Sequence, residues 1–122
     1  MTMFNVMRGS GLQVTFENGV TLSVQWGIHT YGDNYNMQVS TDDVIDLASG
    51  KKETPGSTTA EIAVLSKAGA LIKFPDTEDT VFGYVQIDKV IEIMYMLSRW
   101  VGDDIGTIAR RIEKIVHHEE EQ

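Results

Sequence analysis

Gly11-Leu-Gln-Val-Thr-Phe-Glu-Asn-Gly-Val-Thr-Leu-Ser-Val-Gln-Trp-Gly27 holds two stretches of alternating apolar and polar residues joined by Asn18-Gly19. Leu12, Val14 and Phe16 share one face with Val20, Leu22, Val24 and Trp26, while Gln13, Thr15, Glu17, Thr21, Ser23 and Gln25 take the other. Alternation with a period of two around Asn-Gly predicts a β-hairpin with a type I′ turn. Glycine reaches positive φ without steric cost, and a primed turn follows the twist of the strands it joins.

Outward from this hairpin the chain stays mainly β before turning helical. Residues 28–36, with His29, Tyr31, Gly32, Asp33 and Asn34, read as a polar loop, and 37–39 as a short strand. Residues 40–58 carry Asp42, Asp43, Asp46, Gly50, Pro55 and Gly56 and read as an excursion with a helical turn around 44–47. A second hairpin is expected from strand 59–66 through a turn at 67–70 to a returning strand at 71–74, stopped by Pro75; 81–85 reads as a further strand. From 87 to 101 the period becomes helical, with Val90, Ile91, Met94, Leu97 and Val101 in one stripe and Ile93, Met96 and Trp100 in a second. One sheet face covers one stripe, so the second calls for another helix or another subunit. Gly102 ends this helix, Asp103 or Asp104 suits the next N-cap, and Ile105, Ile108, Ile112, Ile115 and Val116 repeat at helical spacing, with Arg110, Arg111 and Lys114 on the other side. The expectation is an α+β fold: an antiparallel β-sheet built from two hairpins followed by two C-terminal α-helices. Residues 1–122 form one domain, with the sheet in 1–85, two helices in 86–118 and an acidic tail at 119–122.

Composition narrows the function. At 122 residues with 42% hydrophobic and 23% charged content, the chain suits a single globular core. No apolar run approaches a bilayer span, and residues 1–8 lack the features of a signal peptide, which predicts a cytosolic protein. Without cysteine there are no disulfides and no thiolate metal sites. A net charge of −8 argues against a nucleic acid polymer as partner, because that affinity rests on clustered Lys and Arg. A small phosphorylated ligand needs only a few cations in one pocket.

A search for catalytic groups finds little. There is no cysteine nucleophile and no G-x-S-x-G elbow. Arg8-Gly-Ser-Gly11 lacks the lysine of a P-loop, and it reads either as backbone N–H groups near an anion or as a lead-in to the first strand. His29 reads as a solvated loop residue, and His117-His118 before Glu119 to Glu121 as a frayed helix end. Asp76 and Asp79 with Asp33, Asp42 and Asp43 lack the EF-hand pattern and read as loop surface. Trp26 and Trp100 stand at core-like positions. In strand 81–85, alternation sends Phe82 and Tyr84 opposite to Val81 and Val85, so Phe82 reads as either a core ring or a stacking platform for a purine.

The run Arg8-Gly-Ser-Gly-Leu-Gln-Val-Thr-Phe-Glu-Asn-Gly-Val-Thr-Leu-Ser-Val-Gln-Trp-Gly27, followed by Ser57-Thr-Thr-Ala-Glu-Ile-Ala63, resembles the first described type of the phage Thoeris anti-defence sponge family. The resemblance extends over nearly the whole chain. It implies a protein of the infected host's cytoplasm that binds a cyclic ADP-ribose isomer made by a TIR-domain enzyme and holds it without chemistry, with no cofactor. It further implies a homo-oligomer, a dimer or a larger assembly such as a hexamer, with the pocket between subunits. Under it, Phe82 stacks on the base, Arg99, Arg110 and Arg111 hold the phosphates, and Asn34, Tyr35 and Asn36 close the pocket. A second site for cyclic oligonucleotides falls at Arg8 and Gly9, and Glu92 stands where the family leads one to expect an amide. Two other readings are an inhibitor that binds protein through its acidic surface, and an enzyme that cleaves a nucleotide with a metal held by Asp33, Asp76 and Asp79.

Overall fold

The structure, a computed structural model, describes residues 3–7, 11–26, 57–102 and 104–117. The expected loop at 28–36, the short strand at 37–39, the helical turn at 44–47 and the acidic tail at 119–122 lie outside them. The strands β1 (Met3–Met7), β2 (Gly11–Thr15), β3 (Thr21–Gln25), β4 (Thr59–Leu65) and β5 (Val81–Gln86) form one antiparallel sheet in the order β1-β2-β3-β4-β5. The helices α1 (Ile87–Ser98) and α2 (Ile105–His117) follow, so the fold is α+β. Val14, Leu22, Val24, Ile62 and Val64 from the sheet bury against Val90, Ile93 and Leu97 of α1 and Ile108, Ala109 and Ile112 of α2. Strand β1 was not foreseen; its place at the end of the strand order makes it an edge strand, and its Phe4 stays 78% exposed.

The first hairpin closes with a longer loop than a type I′ turn. Asn18 does not adopt positive φ, whereas Gly19 does, at 91°. The Gly19 N–H donates to Phe16 O at 2.9 Å and the Phe16 N–H to Val20 O at 2.9 Å, which makes a three-residue loop of a tight turn followed by a left-handed glycine. The register explains the choice. A two-residue loop would set Val14 opposite Ser23 and Leu12 opposite Gln25, mixing the two faces, whereas the observed pairing sets Val14 opposite Leu22 and Leu12 opposite Val24. Burial of the apolar face outweighs the local preference of Asn-Gly.

The second turn repeats this loop, with Gly69 N–H on Ser66 O and Ser66 N–H on Ala70 O, both at 2.8 Å. The return that follows is shorter than the expected strand 71–74. Leu71 bridges to Leu65 and the Ile72 N–H reaches Val64 O, after which β5 takes over the same edge of β4 at Ala63 and Val81. Phe74 instead turns into the core and its backbone N–H bonds to Asp79 O at 2.8 Å, within its own loop.

Helix α1 also buries a different line from either predicted stripe. Val90, Ile93 and Leu97 are buried, with Met94, Met96 and Trp100 flanking them, while Ile91 (59%) and Val101 are exposed. The 90-93-97 line has the same i, i+3, i+7 spacing as the predicted 93-96-100 stripe, so spacing permits both, and packing against the sheet and α2 selects the line that is buried. Helix α2 starts as expected at Asp104. Its Oδ1 accepts the Thr107 N–H at 3.2 Å and its Oδ2 accepts the Thr107 hydroxyl at 2.8 Å, contacts that hold the Asp104 carboxyl below its ordinary value.

The hairpin loop also closes the far end of α1. Asn18 Nδ2 donates to Leu97 O at 2.8 Å and to Trp100 O at 3.1 Å, while Asn18 Oδ1 accepts the Val20 N–H at 3.0 Å. An Asn18→Asp variant keeps the loop bond, loses both donors and places a carboxylate against the negative end of the helix. It is expected to lose about 2–3 kcal/mol of stability in urea denaturation. A midpoint equal to that of wild type would show that these contacts contribute nothing.

Candidate functional site

The two helices run antiparallel. Lys89 near the start of α1 donates its Nζ to Ile115 O near the end of α2 at 3.0 Å, and Arg111 lies over the ring of Trp100 just beyond α1, 5.8 Å from its centroid. Between them opens a groove of about 720 Å³ lined by Glu92, Tyr95, Met96, Arg99, Trp100, Arg111, Lys114 and Ile115. The spacing explains the lining: 92, 95 and 96 on α1 and Arg99 at its C-cap recur at i, i+3, i+4 and i+7, and 111, 114 and 115 at i, i+3 and i+4 on α2, so each set forms one face.

The charge pattern of this groove runs against that of the chain. Arg99, Arg111 and Lys114 project into it from a protein of net charge −8. Among the described residues, no carboxylate pairs with any of the three. Arg99 rests over Tyr95, 5.5 Å from its centroid, as Arg111 does over Trp100. Guanidinium groups on aromatic faces keep their outer N–H donors available for a phosphate. Met96, Ile115 and Trp100 supply an apolar floor, and the Trp100 Nε1–H is buried with no hydrogen-bond partner among the described residues. Chemically, the groove offers forked donors for phosphate, ring faces for a base and one carboxylate, Glu92, to accept from a hydroxyl or amine.

The structure brings together Arg99 and Arg111 of the expected set and leaves the others apart. Arg110, one residue round the helix, points instead to the first turn of α2, where its Nη2 lies 3.5 Å from Thr107 Oγ1. Asn34, Tyr35, Asn36, Arg8 and Gly9 lie outside the described residues. Tyr95, Trp100 and Lys114 were not assigned to a site; the i, i+3, i+4, i+7 recurrence of Glu92, Tyr95, Met96 and Arg99 was the signal that marked this face.

Phe82 needs a correction. It is 6% exposed, its ring is 4.4 Å from that of Phe74, and His117 meets it edge-on at 5.4 Å. Simple alternation fails because β5 bulges. Ala60 pairs with Val85 and Ile62 with Phe82, so Gly83 and Tyr84 together oppose Glu61. The extra residue turns both Phe82 and Val85 inward and leaves Tyr84 outside at a φ of 56°. Phe82 is a core residue and does not line the groove.

Near that ring, Glu113 on α2 is buried, and its Oε2 accepts the Asp76 N–H at 2.6 Å, fixing the 75–80 loop to the helix. Asp76 and Asp79 remain exposed, and among the described residues no group of three or more His, Cys, Asp or Glu is placed to hold a metal ion. Among the described residues, no helix is long and apolar enough to cross a membrane. In comparisons with protein-family models, curated proteins and solved structures, nothing matches this chain.

Proposed function

We propose that the protein binds a small phosphorylated nucleotide in the groove between α1 and α2 and sequesters it without altering it. In its finer form, the ligand is the cyclic ADP-ribose isomer of a TIR-domain defence system, and the protein is a phage anti-defence sponge acting in the host cytoplasm. The observation that carries this reading is the meeting of Arg99, Arg111 and Lys114 with Tyr95 and Trp100 in one groove of an otherwise acidic chain. Capture of a scarce signal asks for a dissociation constant near ~1 nM, or about −12 kcal/mol. Base stacking at ~1–3 kcal/mol falls short of that, so charge-assisted bonds to phosphate must contribute the rest.

Homo-oligomerisation belongs to the same reading. Ile87 and Ile91 on α1 and Phe4 on β1 remain on the surface, and a second copy would enclose the open groove further. Light scattering at micromolar concentration is expected to give a multiple of the chain mass.

The test of the site is Arg111→Ala. Arg111 is exposed, so the variant is expected to melt with wild-type protein and to bind the TIR-made isomer about ten- to a hundred-fold more weakly in calorimetry, as loss of a charge-assisted pair implies. Unchanged affinity would move the site elsewhere. Mass spectrometry of ligand released by heat is expected to recover it intact; a cleaved product would overturn sequestration in favour of an enzyme.

A further inference from the structure

We propose that the outer edge of β1 pairs antiparallel with β1 of a second copy of this chain, joining two five-stranded sheets into one. The contact holds whether or not the groove between the helices takes a nucleotide.

The two edges of the sheet differ in how they are guarded. A free edge strand presents a row of N–H and C=O groups to any other strand, and proteins block it with charge, proline, a bulge or a covering element. At one end of the strand order β5 is blocked: it bulges at Gly83 and Tyr84, Tyr84 is left-handed at a φ of 56°, and the strand runs directly into α1. At the other end β1 has none of these devices. It reads Met3-Phe-Asn-Val-Met7, without charge or proline, and its register against β2 runs unbroken from Met3 opposite Thr15 to Met7 opposite Gly11. Among the described residues no strand covers its outer side. Successive side chains of a strand point to opposite faces, yet Met3, Phe4 and Asn5 are all exposed, so β1 is open on both faces as well as along its edge.

Charge and symmetry favour a second copy over a foreign strand. A chain of net charge −8 repels its own copies, and β1 is a segment where no charge opposes their approach. Antiparallel pairing about a two-fold axis at Asn5 uses all five residues of the strand. It sets Phe4 diagonally across from the partner's Phe4 on the same sheet face, at the ~7–8 Å that aromatic rings span. Phe4 stands opposite the buried Val14, on the face that carries the core but beyond the cover of the helices. A second ring there removes it from water. The two-fold contact is closed: it leaves only the blocked β5 edges at the ends of the joined sheet, so pairing through β1 stops at two copies. With five residues a side the contact belongs to the weak class of interfaces, and its population rises with protein concentration.

The chain contains no cysteine, so single Cys substitutions test the pairing directly. Asn5 and Met3 are exposed, so Asn5→Cys and Met3→Cys leave the core intact. Across the two-fold axis the Cα atoms at position 5 lie about 5 Å apart, within disulfide reach. Those at position 3 lie ~14 Å apart, at ~3.4 Å per residue, and are out of reach. With oxidised glutathione, Asn5→Cys is expected to form linked dimer at least about tenfold faster than Met3→Cys, read by non-reducing electrophoresis. Adding Phe4→Lys to Asn5→Cys is expected to slow linkage about tenfold, because the ring contact is replaced by two like charges. Equal linkage at positions 3 and 5, or linkage indifferent to Phe4→Lys, would overturn the pairing and leave the β1 edge to a strand of another protein. If light scattering still gave a multiple of the chain mass in that case, the copies would meet on a different face, and the homo-oligomer of the proposed function would stand without this contact.

Discussion

Phe82→Ala is expected to destabilise the domain by about 3–5 kcal/mol, the loss typical of removing a buried aromatic ring from a core that cannot collapse around the gap. The ring is closed in by Phe74 at 4.4 Å and by the edge of His117 at 5.4 Å. It also pairs opposite Ile62, itself fully buried, so the vacated space lies between the sheet and the end of α2. Urea denaturation measures the loss directly. The experiment also separates two roles that one sequence position permits. A variant of wild-type stability that had lost nucleotide affinity would make Phe82 a ligand platform, whereas a destabilised variant whose remaining folded fraction binds normally places it in the core.

Gly11→Ala is expected to be as damaging, for a backbone reason. A Cβ built on Gly11 would lie 2.0 Å from Val24 O and 2.8 Å from Gln25 Cα, both main-chain atoms of β3 that cannot rotate away. Its φ of 155° adds strain for any L side chain. Gly11 pairs with Met7 on one side and Gln25 on the other, so relieving the clash would separate β2 from β3 at the point where β1 also joins. A loss of at least about 3 kcal/mol is expected, in the upper range of single substitutions. A melting temperature within about 2 °C of wild type would show that β3 yields at this point without consequence.

The cations of the groove show how far sequence reading reaches toward a site. Arg110, Arg111 and Lys114 stand on the polar side of an amphipathic helix, and that much follows from spacing. Which of them meets Arg99 depends on the rotation of α2 about its axis, and one residue, about 100° at ~3.6 residues per turn, separates Arg111 in the groove from Arg110 outside it. Trp100 was legible as a core-like residue, but its second role as the surface under Arg111 exists only once α2 folds back.

By itself, the sequence determined the class of the fold and the order of its parts: alternation marks β2, β3 and β4, a change of period marks both helices, and Asp104 marks the start of the second. These are local properties, written in residues a few positions apart. Tertiary structure alone decided the rest. The three-residue loop at 17–19 prevails over the type I′ preference of Asn-Gly because only that register buries apolar residues opposite one another. The bulge at Gly83 and Tyr84 turns Phe82 inward because β5 must match β4 while joining directly onto α1. Asn18 serves the end of a helix that lies 79 residues away in the chain, a contact no pattern of spacing records, because the free energy of burying one sheet face, and not any local preference, places the two side by side.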